Sequence, residues 1–397
     1  MKRIFAFTLA LMLLLSGCGK SDLLPSRNNN STDKKDTIAV EEALPEETAA
    51  VTEVTTEPTT EPTTEPPVIH RNPLNGEILD EPFTGRIFAN TISNIPDALP
   101  HVGVTKADIL MEMYVNNSII RCLALYSDIE SVEAIGSTRS TRLMFNDIAE
   151  HYSLILSHAG GSSFCLSDAN ERGLAHYNVD SLMRQGDPVA QGTAYRDKQY
   201  KHGEHNLFAI GAGVKAYTES QGVPMTLEKD YGLTFTEDAS PIGGEVAETI
   251  TITFTYDKAK KDTTMVYDAG LGKYVYNQYA KVMADQITEE VEAFTNVIIM
   301  QAEISHVSYS GARYQCTDFL TGGTGYYANG GKLIPITWTC DSETEPFRFF
   351  TAEGEPLNIG VGNSYIAIAS YESPIVYGAV DAPAETTAET TEETTAG

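Results

Sequence analysis

The chain reads as an α/β (or α+β) N-terminal domain at residues 69–238, followed by a mainly antiparallel β domain at residues 241–379. Two patterns predict this. The first region alternates apolar runs of strand length with helical periodicity and a Gly-rich turn, the order expected of layered α/β structure with some parallel pairing. The second is a series of short β-branched and aromatic runs separated by glycine pairs, which suits an antiparallel sheet or sandwich.

In the first region, Ile119 to Tyr126 is a mostly apolar run of strand length. Arg139 to Tyr152 follows, with Leu143, Met144, Ile148 and Tyr152 on one helical face. Ser153 to His158 is a buried-strand candidate that ends at Gly160-Gly161-Ser162, before helices expected at 163–172 and 210–220. In the second region, strands are expected at 249–256, 263–267, 273–276, 296–304, 312–319, 333–339, 347–351 and 364–369. Gly322-Gly323, Gly330-Gly331 and Glu353-Gly354 supply turns, a helical turn is expected near 278–292, and Trp338 is assigned to the core.

The N-terminus carries Met1-Lys2-Arg3, an apolar run from Ile4 to Leu15, and then Ser16-Gly17-Cys18. A positive start, an apolar core and small residues before the cut describe a secretory signal. The run is too short for a permanent span, which needs about 20 residues. The Leu-Ser-Gly-Cys ending resembles the bacterial lipobox, which places a diacylglycerol on the Cys18 thiol. Two acyl chains hold a protein stably at a membrane, so the expected location is the extracytoplasmic face of the cell membrane. Residues 19–68 and 382–397 are rich in Thr and Glu, with Pro repeats in the first stretch, and read as disordered. The longer one would reach on the order of 100 Å at about 3.1 Å per residue.

A formal net charge of -28 argues against nucleic acid as a partner, because phosphate backbones are held by clustered Lys and Arg. Cys122, Cys165, Cys316 and Cys340 show no C-x-x-C spacing. They read as buried free thiols, with one bridge per domain (Cys122 to Cys165, Cys316 to Cys340) as the alternative that export permits.

Polar residues gather at element ends in the first domain. Gly136 to Arg142 joins a loop to a helix start and carries Arg139 and Arg142, and Arg121 lies in the preceding strand. Free backbone N–H groups and guanidinium groups there suit a carboxylate or phosphate. His158, Gly160, Gly161 and Ser162 follow a strand at its carboxyl end, where open α/β sheets bind ligands. Arg196, Asp197, His205 and Asn206 lie in a loop-like stretch, and Asp108 and Glu112 precede Arg121. The bland alternatives are a helix cap at Ser140, surface pairing of the arginines with Asp147 or Glu150, a plain turn at the glycines, and a core histidine at His158. There is no H-x-x-x-H or EF-hand spacing, no G-x-S-x-G elbow and no cofactor motif, so neither metal nor cofactor is expected.

These same positions carry a resemblance. Ala107-Asp108-Ile109 through Glu112, Arg121, the Gly136 to Arg142 loop, His158 to Ser162, Arg196-Asp197 and His205-Asn206-Leu207 look like the YerB-like lipoprotein family. So does Asn72-Pro73-Leu74-Asn75-Gly76 at the start of the first domain. In the second domain the likeness rests on Phe254 to Asp257, Asn296 to Ile299, and Gly331-Lys332 through Ile336-Thr337-Trp338. The chain departs from the family pattern at Ser137-Thr138 and Glu204. The resemblance implies two domains of unknown function on the envelope of largely Gram-positive bacteria, and carries no established reaction.

The expected function is therefore a lipid-anchored module that binds an anionic envelope polymer or a protein partner through the arginine-bearing loops. The rival expectation is a hydrolase or transferase on envelope glycan or peptide. It requires His158, His205, Asp108, Glu112 and Asp197 to converge as acid and base. A third is an assembly factor using an apolar patch on the second-domain sheet.

Overall fold

The computed structural model describes residues 69–380 other than 117–118, 198, 200–202 and 257–258. The signal segment, Cys18, the linker and the acidic tail lie outside the described residues. The architecture is a mixed α/β N-terminal part and a mostly antiparallel β C-terminal part. No described helix is long and apolar enough to cross a membrane.

Among the described residues, one eleven-stranded sheet draws on both sequence regions. From the second region come Lys332–Thr339, Gly323–Asn329, Asn296–Ala302 and Ser364–Ser370, side by side. Ser364–Ser370 then pairs in parallel with Ile109–Asn116, so that Ser364 faces Ile109. The sheet continues through Ile119–Tyr126, Phe88–Ser93, Ile155–His158 and His176–Asn178. The sheet thus crosses the expected boundary at residues 238–241 without a break.

Its central strands are buried on both faces, which explains runs such as Ile-Leu-Met-Glu-Met-Tyr that are apolar almost throughout. Alternate residues go to opposite cores. Met111, Met113, Leu123 and Leu125 pack with helix α1 (Leu143–His151), and with Trp338 and Phe347. Leu110, Tyr114, Cys122 and Tyr126 pack instead under a second, six-stranded antiparallel sheet. That sheet is built on Thr249–Tyr256, Ala259–Asp268 and Lys273–Gln278. Among the described residues the remaining α-helices are α2 (Ser163–Glu171), α3 (Val179–Leu182), α4 (Pro188–Gln191) and α5 (Gly211–Ser220).

Two expectations need correction. The helix anticipated from Arg139 begins only at Leu143, because residues 138–141 are tied down as an extended edge. Thr138 bridges Ile92, Arg139 N–H donates to Thr91 O at 2.9 Å, and Thr141 N–H donates to Gly160 O at 3.0 Å. The helical turn anticipated at 278–292 is absent. Lys281–Val282 pairs with Lys273–Gln278, and the Asp285 carboxylate accepts from Ile287 N–H at 2.8 Å and Thr288 N–H at 3.1 Å in a turn of its own. All four cysteines among the described residues are free thiols.

Candidate functional site

The short segments marked out by the sequence meet at one corner of the main sheet, beyond the carboxyl ends of Phe88–Ser93 and Ile155–His158. Residues 138–141 run between the other two loops. Ala159 N–H donates to Arg139 O on one side, and Thr138 N–H donates to Leu207 O on the other, at 2.9 and 2.8 Å. Gly160 holds φ +76°, a left-handed turn that favours glycine. The turn places its carbonyl against Thr141 N–H and its own N–H on Asn178 Oδ1.

Three guanidinium groups meet here. Arg121 is only 3% exposed, and its Nη1 donates to the Ser140 carbonyl at 2.6 Å while its Nε has no partner among the described residues. Arg142 donates to Thr141 O at 2.7 Å. Arg139 reaches the exposed Glu204, through its carbonyl at 3.1 Å and its carboxylate at 3.0 Å. Among the described residues neither Arg121 nor Arg142 has a carboxylate partner, because Arg172 takes Asp147 and Glu150 at 2.7 and 2.9 Å. The surface pairing considered from sequence is thus overturned, and Ser140 is not the helix cap either: Arg142 occupies that position and Ser140 Oγ donates to Ala159 O. Burial, reinforced by Arg142 and Arg139, holds the Arg121 guanidinium well below the usual arginine range. Arg142 is lowered mainly by burial, with Arg139 adding repulsion. The Arg139 guanidinium in turn lowers the Glu204 carboxyl.

Helices α1 and α2 both begin at this corner, and neither has an acidic residue in its first turn. A helix N-terminus favours negative charge, so a cation at the start of α1 adds to a positive field that the exposed Glu204 carboxylate offsets only in part. Ser162 caps α2 by accepting from Cys165 N–H at 3.1 Å. Gly161 leaves room where a Cβ would come within 3.0 Å of Leu166.

The other residues singled out are braces. Arg196 ties the 203–206 loop together, donating to Gly203 O and Asn206 Oδ1 at 2.6 Å each, and pairs with Asp180 at 2.7 Å. Asp197 closes the same loop through Asn206 O and Gln199 N–H. His205 is buried, with Nε2 at 3.6 Å from Glu204.

His158 is fully buried. Its Nδ1 lies 2.8 Å from Gly160 O and its Nε2 3.0 Å from His176 Nδ1. Burial, and then the neighbouring His176, push its imidazole down to about 3, while burial pushes His151 down to about 4. The unfolded chain, with ordinary histidines near 6.5, therefore binds more protons than the folded one between the folded pKa and about 6.5. Stability contributed by each neutral ring is present above about 6.5 and drains as pH falls, by about 1.4 kcal/mol per pH unit for each ring. Denaturant unfolding from pH 7 to pH 4 is expected to show this slope, and His158→Asn to remove about one proton's share of it. An unchanged slope in the variant would refute the assignment.

Asp108 and Glu112 do not join this corner. Asp108 lies before the opposite end of Ile109–Asn116, accepts from Asn75 Nδ2 and Ser127 N–H at 2.6 Å each, and lines a separate cavity of about 600 Å³. Glu112 faces the other side of the sheet from Arg121, since it pairs with Cys122 while Arg121 pairs with Met113. There Asn94, Lys261, Thr263, Tyr276 and Tyr365 all donate to its carboxylate. The convergence of acids and bases that an enzyme reading requires is therefore not formed by these residues.

Sequence reasoning missed the neighbour of the arginine corner. A hairpin of Ile304–Tyr309 and Ala312–Thr317, far along the chain, is fastened there by Gln315 Nε2 donating to Tyr114 O at 2.9 Å. Only its aromatic content, Tyr309 and Tyr314, signalled a role.

Family comparisons agree with this architecture. The N-terminal domain model of the proteins of unknown function DUF3048 matches residues 74–224, and the C-terminal domain model matches 251–366. A Bacillus subtilis (strain 168) protein named "Putative lipoprotein YerB" is 24% identical over 267 residues, covering 67% of this chain and 77% of that protein. The crystal structure of YerB from Bacillus subtilis superposes with a TM-score of 0.66 at 21% identity, over 77% of this chain and 99% of that one. With both domains matched in order and the fold shared, the chain belongs to the YerB-like family of two-domain DUF3048 proteins.

Proposed function

We propose that this chain is an envelope lipoprotein, held outside the membrane by a diacylglycerol on Cys18, that binds an anionic envelope ligand at the arginine corner. One observation carries the reading: Arg121 is buried with a backbone carbonyl and two further guanidinium groups around it, and no carboxylate on it among the described residues. A buried cation without a counter-charge is costly, and a ligand carboxylate or phosphate supplies that charge with bidentate geometry. The name of its Bacillus subtilis relative, "Putative lipoprotein YerB", supports the anchor.

Co-sedimentation with purified cell-wall fragments tests the binding, and membrane fractionation of cells tests the anchor. The double variant Arg139→Ala, Arg142→Ala is expected to lose most binding while its melting temperature stays nearly unchanged, since an exposed pair such as Arg139 with Glu204 contributes at most about 1 kcal/mol. Wild-type binding should weaken as salt rises. Full binding by the double variant would defeat the anion reading, and Cys18→Ser remaining in the membrane fraction would defeat the anchor.

A further inference from the structure

The arginine corner does not end at its guanidinium groups. Phe164 stands in the first turn of α2 and stacks on Tyr309 of the 304–317 hairpin with ring centroids 4.3 Å apart and planes 10° from parallel. Tyr314, from the returning strand, meets the same Phe164 at 4.9 Å and is close enough to Arg142 to interact with its charge. Tyr309 is 46% exposed, unusual for a large ring already stacked on a neighbour. The exposed Arg313 lies in the strand opposite and has no carboxylate partner among the described residues. An aromatic ledge therefore runs outward from the buried Arg121, and the two family domains build it together.

We infer that ledge and corner form one site for a sugar chain bearing phosphate or carboxylate groups, with the anion against Arg121 and Arg142 and a sugar ring against Tyr309. This rests on the anion-binding reading above and names its ligand class. The chemistry matches at both ends. A pyranose offers a face of C–H groups to an aromatic ring while its hydroxyls stay in water, and a tyrosine edge is itself half polar. Guanidinium groups fit carboxylate and phosphate oxygens in pairs. A bilayer surface fits less well: it needs a broad basic face, which a chain of net charge -28 lacks, whereas a single sugar chain needs only this corner.

The test uses the immobilised full-length chain and four probes: a sugar-phosphate polymer, a uronate polymer, sugar-free polyphosphate, and phosphatidylglycerol vesicles. Tyr309→Ala is expected to weaken a sugar polymer about tenfold, a change of about 1.4 kcal/mol, and to leave polyphosphate affinity unchanged. Arg142→Gln should weaken that sugar polymer and polyphosphate alike. Whichever sugar polymer responds to Tyr309→Ala identifies phosphate or carboxylate as the charged group. Should Tyr309→Ala bind both sugar polymers like the wild type while Arg142→Gln still loses polyphosphate, the glycan assignment falls and the anion reading survives. If Arg142→Gln changes no affinity, both fall. Vesicle binding that depends on Tyr309 would overturn the glycan in favour of a membrane.

Discussion

Glu112→Ala is expected to lower the unfolding free energy by about 3–5 kcal/mol, the cost of breaking a buried ion pair from one side. The Glu112 side chain is fully buried and that of Lys261 is 6% exposed. Removing the carboxylate strands the Lys261 ammonium, which Phe254, Tyr276 and Tyr279 surround with their rings at 5.6–5.7 Å. It also deprives the Tyr365 hydroxyl of its acceptor at 2.6 Å and the Tyr276 hydroxyl of the nearer of its two, at 3.0 Å. Lys261→Met should cost a similar amount, because it leaves the carboxylate uncompensated. The double variant Glu112→Leu, Lys261→Met should recover much of either loss, since replacing both charges by apolar groups is often close to neutral. Urea unfolding of the four chains measures this. A loss below about 1 kcal/mol in Glu112→Ala would show that the network does not clamp the small sheet to the large one.

That clamp illustrates what local sequence hides. Glu112 was visible as a charge in the segment before the strand that carries Arg121, but its lysine stands 149 residues further on. Nothing local links them, and the carboxylate was grouped with the wrong face of the sheet. The strands themselves were legible where burial on one or both faces imposes apolar runs, as in Ile119–Tyr126 and Thr249–Tyr256. Gly323–Asn329 escaped because the glycine pairs at its two ends, Gly322-Gly323 and Gly330-Gly331, read as turns. Gly325 is small for another reason: a Cβ there would lie 1.9 Å from the Ile299 carbonyl on the neighbouring strand. At 139–142 the start of a helix was expected and at 278–292 a helical turn, and tertiary pairing overrode both.

The arginine corner was legible for a physical reason. Arg121, Arg139 and Arg142 are conspicuous in a chain with 27 basic and 55 acidic residues, and all stand at or near element ends. What could not be read was their company. Whether Asp147 and Glu150 served Arg142 or Arg172 depended on where α2 lay, and the aromatic hairpin arrives through non-local contacts.

Arg121→Met should then separate function from stability. A structural arginine is worth keeping for its partners, yet among the described residues this one makes a single hydrogen bond, to Ser140 O, and leaves Nε unpartnered. Replacing it with an apolar chain of similar length forfeits that bond, worth about 1 kcal/mol, and leaves the carbonyl short of a donor. It also removes a desolvated charge that Arg142 and Arg139 repel, a cost of several kcal/mol. The second effect is the larger, so the variant is expected to be more stable than the wild type by about 1–2 kcal/mol while losing anion binding. Binding adds a second reading of the same difference, since a ligand that favours the folded state raises its stability in proportion to the logarithm of concentration over Kd. Wall polymer or polyphosphate should therefore raise the melting temperature of the wild type and leave that of Arg121→Met unmoved. If Arg121→Met unfolds instead, or still responds to the polyanion, the guanidinium is a brace for the 138–141 edge and the ligand charge sits elsewhere.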